Sequence, residues 1–207
     1  MNRRKIFQGL TIVRRSGWTE RALAVLVFLG VFVGIASLGV GSRSDLDVYL
    51  RRSRAEKLQR PVTEAEWTYP LQTRGGGTLA LKDVQASLLF LNFWGTFCAP
   101  CIEELPSLLA MARSRAPEGV VVVAVSYDES FDAIDRFFRE FTSESIPDNF
   151  LVVRDPAGAR DLKGLFGTEK IPESYLIRDG QVLARFVNAR DWIHPDIVGL
   201  FNELLRK

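Results

Sequence analysis

The sequence predicts an α/β domain, a central sheet buried between helices on both of its faces. Three observations carry this reading. Strand and helix signals alternate along residues 61–207 in the order β–α–β–α–β–α–β–β–α. Two runs, Ser87–Trp94 (SLLFLNFW) and Val120–Ser126 (VVVVAVS), are apolar almost without interruption, as strands covered on both faces are. The stretch Phe131–Phe141 instead sets apolar residues at 131, 134, 137, 138 and 141, the spacing of one helix face.

Before the domain come three segments of different character. Residues 1–21 are basic, and residues 22–42 (ALAVLVFLGVFVGIASLGVGS) form 21 positions without a charge. As a helix that stretch would reach about 31 Å, matching the roughly 30 Å hydrocarbon core of a bilayer. A buried globular helix would be expected to keep a polar face. A cleaved signal peptide, with Gly34-Ile35-Ala36 as its small-x-small site, would be expected to have a shorter apolar region. The reading adopted is a retained single transmembrane anchor, which makes membrane lipid a partner. Residues 43–60, charged and followed by Pro61, read as a juxtamembrane tether. Six basic residues on each side of the apolar stretch leave its orientation undecided by charge.

Within 61–207 the elements follow in order. Gly75-Gly76-Gly77 marks a turn before a short strand, Thr78–Leu81. The buried strand Ser87–Trp94 leads into a helix over Ala99–Arg115, and Glu118-Gly119 turns the chain into Val120–Ser126. After the Phe131–Phe141 helix come a short strand, Leu151–Val153, and a helix over Ala159–Phe166. Ser174–Ile177 and Val182–Val187 flank Arg178-Asp179-Gly180, a hairpin signal. His194-Pro195 opens the closing amphipathic helix, Ile197–Leu205.

The chemistry concentrates at Cys98-Ala99-Pro100-Cys101, where a buried strand gives way to a helix. Free N–H groups and the positive end of the dipole at a helix start favour the thiolate, the reactive form of cysteine. Pro100 suits a first turn, where its missing N–H leaves no bond unmade. Cys98 is then the outer sulfur and Cys101, one turn in, the shielded one that resolves a mixed disulfide. Three plainer readings compete. A structural disulfide closing so short a loop contributes only about 2 kcal/mol by chain entropy. A zinc half-site lacks a second cysteine pair, and two unrelated buried cysteines would not be expected at this spacing. Redox chemistry is the reading adopted, with no bound cofactor and no metal, since the electrons reside in the Cys98–Cys101 pair.

With Asn92-Phe93-Trp94 before it and Lys170-Ile171-Pro172 after it, WGTFCAPCIEELP resembles the membrane-anchored TlpA/ResA/CcmG branch of thioredoxin-like proteins. The resemblance covers residues 61–207 and implies a thioredoxin-like fold, a central mixed sheet with a β-α insertion around Phe131–Phe166. It implies dithiol–disulfide exchange on the extracytoplasmic side of the cytoplasmic membrane. It also implies thiol or disulfide proteins as substrates, apocytochrome c among them, and a membrane electron donor of the CcdA/DsbD type. Cys98 and Cys101 match the attacking and resolving cysteines, and Trp94 the aromatic packed beside them. Phe97 departs from the second tryptophan of most relatives, and Asn92 stands where plain thioredoxin has a buried acid. Ile171-Pro172 implies a cis peptide facing the dithiol, able to pair with a substrate segment; its plain alternative is a trans loop proline.

Glu104 matches the acid this branch carries after its motif. It also follows Cys101 by three residues, on the same helical face. A buried carboxylate there would have a raised pKa and could take the Cys101 proton; a surface helix residue is the alternative. Glu103, about 100° round the helix, is expected in solvent. Trp192 and Phe186 read as packing.

Composition closes other routes. A net charge of +2 from 27 basic and 25 acidic residues argues against nucleic acid as a partner. Two cysteines exclude a disulfide-rich scaffold, and the single histidine, His194, excludes a His-rich metal site. The rival enzyme is a thiol oxidase or isomerase of the same fold. The rival from another class is a copper chaperone of the SCO kind, which needs three residues between its cysteines rather than two.

Overall fold

The computed structural model describes residues 45–142, 145–155 and 161–206. The basic segment 1–21 and the proposed anchor 22–42 lie outside them. Among the described residues no helix is long and apolar enough to cross a membrane.

Among the described residues eight strands form one mixed sheet: β1 (Glu56–Pro61), β2 (Leu71–Gln72), β3 (Thr78–Leu79), β4 (Leu88–Trp94), β5 (Val120–Ser126), β6 (Phe150–Arg154), β7 (Glu173–Arg178) and β8 (Gln181–Val187). Their spatial order is β1-β8-β7-β4-β5-β6-β2-β3. β4, β5 and β6 run parallel; β7 is antiparallel to β4, and β8 to β7. The helices are α1 (Asp45–Arg52), α2 (Glu64–Trp67), α3 (Ala99–Arg115), α4 (Phe131–Phe141), α5 (Leu162–Phe166) and α6 (Pro195–Leu205).

Alternation along β4 explains why its sequence shows no polar face. Leu88, Phe90 and Trp94 join one apolar layer with Leu105, Leu108 and Met111 of α3, Ile134 and Phe138 of α4, and Leu200, Phe201 and Leu204 of α6. Leu89, Leu91 and Phe93 join the opposite layer with Val123, Val125, Tyr175, Leu162 and Phe166. Both faces are dry, so the period-two pattern is invisible in hydrophobicity alone. The hairpin between β7 and β8 turns on Asp179 (φ 51°) and Gly180 (φ 70°), both left-handed as its tightest form requires.

Local chemistry sets the helix starts. Ser130 and Asp161 accept the N–H groups of Ala133 and Gly164, at 3.3 and 2.8 Å. Thr63 and Glu66 form a reciprocal capping box on α2. α3 continues through Pro106 to Arg115.

Of the tether expected over residues 43–60, the described part, 45–60, is instead folded onto the domain. α1 buries Leu50 in the layer that holds Phe201 and Leu204. β1 pairs antiparallel with β8, from Glu56↔Arg185 to Pro61↔Gln181, covering what would otherwise be an open sheet edge. Lys57 reaches back to Asp47 at 2.8 Å. The folded domain therefore includes residues from Asp45, not from 61. The strand expected over Thr78–Leu81 ends at Leu79, and the buried Leu81 begins a short 3-10 turn to Asp83. α2 and β2 are additions to the expected element order.

Candidate active site

β4 delivers the chain to the site. After Trp94 it crosses Gly95–Phe97, and Cys98 becomes the N-cap of α3, with Sγ 3.3 Å from Cys101 N. Cys98 and Cys101 form a disulfide with a Cα–Cα distance of 5.2 Å. Cys98 keeps 8% of its surface and Cys101 2%, the order expected of an outer and an inner sulfur. Pro100, in the first turn, is exposed.

The approach loop is pinned from β5. Thr96 donates its backbone N–H to Asp128 Oδ2 at 3.0 Å and its hydroxyl to Oδ1. Ser126, the last residue of β5, donates to Oδ2 at 2.7 Å. Between them they fix the loop without touching the sulfurs. Phe97, by contrast, is 68% exposed beside Cys98.

Trp94 is buried in the same apolar layer as both cysteines, its ring 5.7 Å from Phe138 and 5.9 Å from Phe137. Its Nε1 has no hydrogen-bond partner among the described residues, so here the indole serves as an apolar wall.

The opposite wall comes from the start of β7. The Ile171–Pro172 peptide is cis, and the Ile171 carbonyl oxygen lies 3.7 Å from Cys98 Sγ. Register explains the meeting: Phe93 pairs with Glu173, so the end of β4 and the start of β7 are neighbours. Glu173 anchors that start. Buried, it accepts Nε and Nη2 of Arg185, each at 2.9 Å, and the hydroxyls of Thr168 and Tyr175.

Behind Cys101 stands Glu104, buried at 3% exposure, while Glu103 faces solvent. Asn92 Nδ2 donates to Glu104 Oε1 at 3.1 Å; Arg190 N and Trp192 Nε1 donate to Oε2, each at 3.1 Å. Asn92 also donates to Ser174 Oγ at 3.0 Å, tying the carboxylate to β4 and β7 together. Burial pushes the Glu104 carboxyl up to about 7; the three donors and the nearby Arg190 charge act against that rise. The acid is thus poised to hold or release a proton near neutrality, one helical turn from Cys101.

Trp192, expected to serve packing alone, is a hydrogen-bond donor to the site. No local sequence pattern marks Arg190, Thr96 or Asp128 for the site. Trp192 and Arg190 sit in a loop with no periodic signal, and only the fold brings that loop to α3. His194 caps α6, accepting Asp196 N–H at 3.3 Å. Among the described residues no three His, Cys, Asp or Glu side chains gather as a metal-binding group.

A mixed sheet with a two-cysteine helix start facing a proline-led strand defines a thioredoxin-like protein of the TlpA/ResA/CcmG kind. The AhpC/TSA family model matches residues 61–185, and the chain belongs to that family. It is similar to thiol-disulfide oxidoreductase ResA of Bacillus anthracis, 31% identical over 113 residues, 54% of this chain and 61% of the relative. ResA of Bacillus subtilis (strain 168) is 31% identical over 116 residues, 56% of this chain and 61% of the relative. The chain thus spans about three fifths of the length of these curated relatives. Among solved structures, a putative thiol:disulfide interchange protein DsbE from Chlorobium tepidum superposes with a TM-score of 0.59 at 26% identity, covering 73% of this chain and 99% of that one.

Proposed function

We propose that this protein is a thiol–disulfide oxidoreductase, anchored in the cytoplasmic membrane with its domain outside, that reduces disulfides of other proteins. The observation that carries the proposal is the sulfur pair at the start of α3, with Ile171 O 3.7 Å from Cys98 and Glu104 buried behind Cys101. The relatives named thiol-disulfide oxidoreductase support the same reaction class.

In the reduced protein the Cys98 thiolate attacks one sulfur of a substrate disulfide. A mixed disulfide forms, and the first substrate sulfur leaves as a thiolate that takes a proton. Cys101 then gives its proton to Glu104 and attacks Cys98 Sγ, releasing the second substrate sulfur. Two electrons pass from the dithiol to the substrate, and the Cys98–Cys101 disulfide closes. A membrane dithiol donor of the CcdA/DsbD type resets it, and a disulfide of apocytochrome c, reduced to its two thiols, is the substrate that the resemblance favours. The apolar stretch 22–42 supports the anchor, since its length matches a bilayer.

The experiment is acid-quenching of live cells followed by thiol alkylation. The expected result is a mostly reduced Cys98/Cys101 pair that becomes oxidised when the membrane donor is deleted. Cys101→Ser should accumulate mixed disulfides through Cys98, and Cys98→Ser none. A pair oxidised in both strains makes the protein a thiol oxidase, and absence of mixed disulfides removes the exchange reaction. Protease added outside spheroplasts should digest the domain; protection until lysis would place it in the cytoplasm.

A further inference from the structure

Beyond the loop that holds Glu104, the end of α1 and the start of α6 enclose a recess of about 210 Å³. Arg52, Ser53, Arg54, Arg190, Asp191 and His194 are among the residues that line it. The end of α1 is built in an unusual way. Ala55 N–H donates to Leu50 O at 2.9 Å and Arg54 N–H to Arg51 O at 3.1 Å, the two bonds of a Schellman motif. The position this motif drives into the left-handed region, φ 53°, is Arg54. Glycine is the residue that suits it, because a Cβ there is strained. The chain thus carries a long cation at a position whose backbone favours glycine.

Arg190 lines the same recess from the other side. Its guanidinium is held below the ordinary arginine range by burial and then by the charge of Arg54. Among the described residues, neither Arg54 nor Arg190 has a carboxylate partner within ion-pair distance. The local acids have other contacts: Asp191 Oδ1 accepts Ile193 N–H at 3.2 Å, and Asp196 lies 3.9 Å from Arg52 and 3.7 Å from His194. Two cations thus share a recess whose lining carboxylate, Asp191, makes no ion pair with either of them. Strained backbone retained beside such a recess points to use rather than to stability.

We infer that this recess is an oxyanion site for a phosphate group, gripped by Arg54 and Arg190 with Arg52 and His194 at its rim. Guanidinium forks match phosphate oxygens in pairs, which a single ammonium does not. The phosphate could belong to a lipid headgroup, since Arg54 follows the apolar stretch ending at Ser42 by only twelve residues, or to a soluble compound. Arg190 N–H donates to Glu104, so occupancy should be felt at the Trp192 indole that shares that carboxylate.

The test uses the full chain in a non-ionic, phosphate-free detergent, with chloride at matched ionic strength as control. Inorganic phosphate is titrated while the Trp192 indole N–H resonance and the melting temperature are followed; phosphatidylglycerol is then mixed into the micelles in a second arm. A saturable shift with a rise in melting temperature is expected. Saturation by phosphate alone assigns a soluble ligand, and saturation by the lipid only assigns a headgroup. Arg54→Gly should melt at or above the unliganded parent temperature, because glycine suits the left-handed position, yet bind about tenfold or more weakly. Arg190→Gln should weaken binding similarly. No saturable response in either arm, or an undiminished one in Arg54→Gly, overturns the site. Neither result depends on the redox reaction.

Discussion

Trp192 and Glu104, 88 positions apart in the chain, share a buried hydrogen bond: the indole Nε1 donates to Oε2 at 3.1 Å. A donor aimed at a carboxylate favours its charged form, so the indole opposes the rise that burial imposes. Trp192→Phe keeps most of the ring and removes the donor. The Glu104 carboxyl should then titrate about one unit higher. The pH profile of disulfide exchange should move with it, whereas Trp94→Phe, whose indole donates to nothing described, should leave the profile in place.

Stability should carry the same signature. The folded carboxyl, at about 7, lies above its ordinary 4.5, so the native state keeps a proton that the unfolded chain has released. Stability is therefore lost as pH rises from about 4.5 to about 7, by at most about 3 kcal/mol, and the loss levels off above that. Glu104→Gln should flatten this slope. Urea unfolding of the oxidised protein at pH 5 and pH 8 measures it, and an unchanged slope would assign the loss to another group.

Glu173 is buried under a single guanidinium, that of Arg185, which is about a quarter exposed. Arg185→Ala leaves that carboxylate with only two hydroxyl partners and should cost about 3 kcal/mol. Combining it with Glu173→Gln should restore part of the loss, since no buried charge then remains. Chemical denaturation of the two variants makes the comparison, and equal losses would show that the pair does not act as one unit.

A Cβ at Gly95 would fall 2.6 Å from Phe97 Cε1. The Phe97 ring is the free end of an exposed side chain, so Gly95→Ala should displace it at a stability change within about 0.5 kcal/mol. Exchange with a protein disulfide should slow in Gly95→Ala and in Phe97→Ala alike, while reduction of a small-molecule disulfide stays unaffected in both. Stopped-flow tryptophan fluorescence with both substrates separates the two cases.

The sequence is most legible where burial is two-sided or a helix begins. Val120–Ser126, Ala99–Arg115 and Phe131–Phe141 match the observed elements residue for residue. β1 is the opposite case. Its residues are mostly exposed, Gln59 has a left-handed φ of 54°, and its register slips between Lys57 and Arg60, so no alternation survives to be read. Thr63-x-x-Glu66, however, is a capping-box spelling that could have revealed α2. At the site, Cys98, Cys101 and Glu104 belong to one helical turn and its neighbour, and spacing alone relates them. The Arg190–Trp192 loop reaches Glu104 only through the packing of α6 and β8 against α3, a relation no local pattern encodes.

The pairing of Phe93 with Glu173 has a consequence for taking the molecule apart. A chain severed between α4 and β6 yields two pieces, one with the sulfurs and the other with the proline that faces them. Each piece also carries strands of the same sheet, β4 and β5 on one side and β6, β7 and β8 on the other. Neither holds a whole catalytic surface. Fused to two candidate binding partners, the halves would form a complementation pair whose recovered thiol exchange reports that the partners have met.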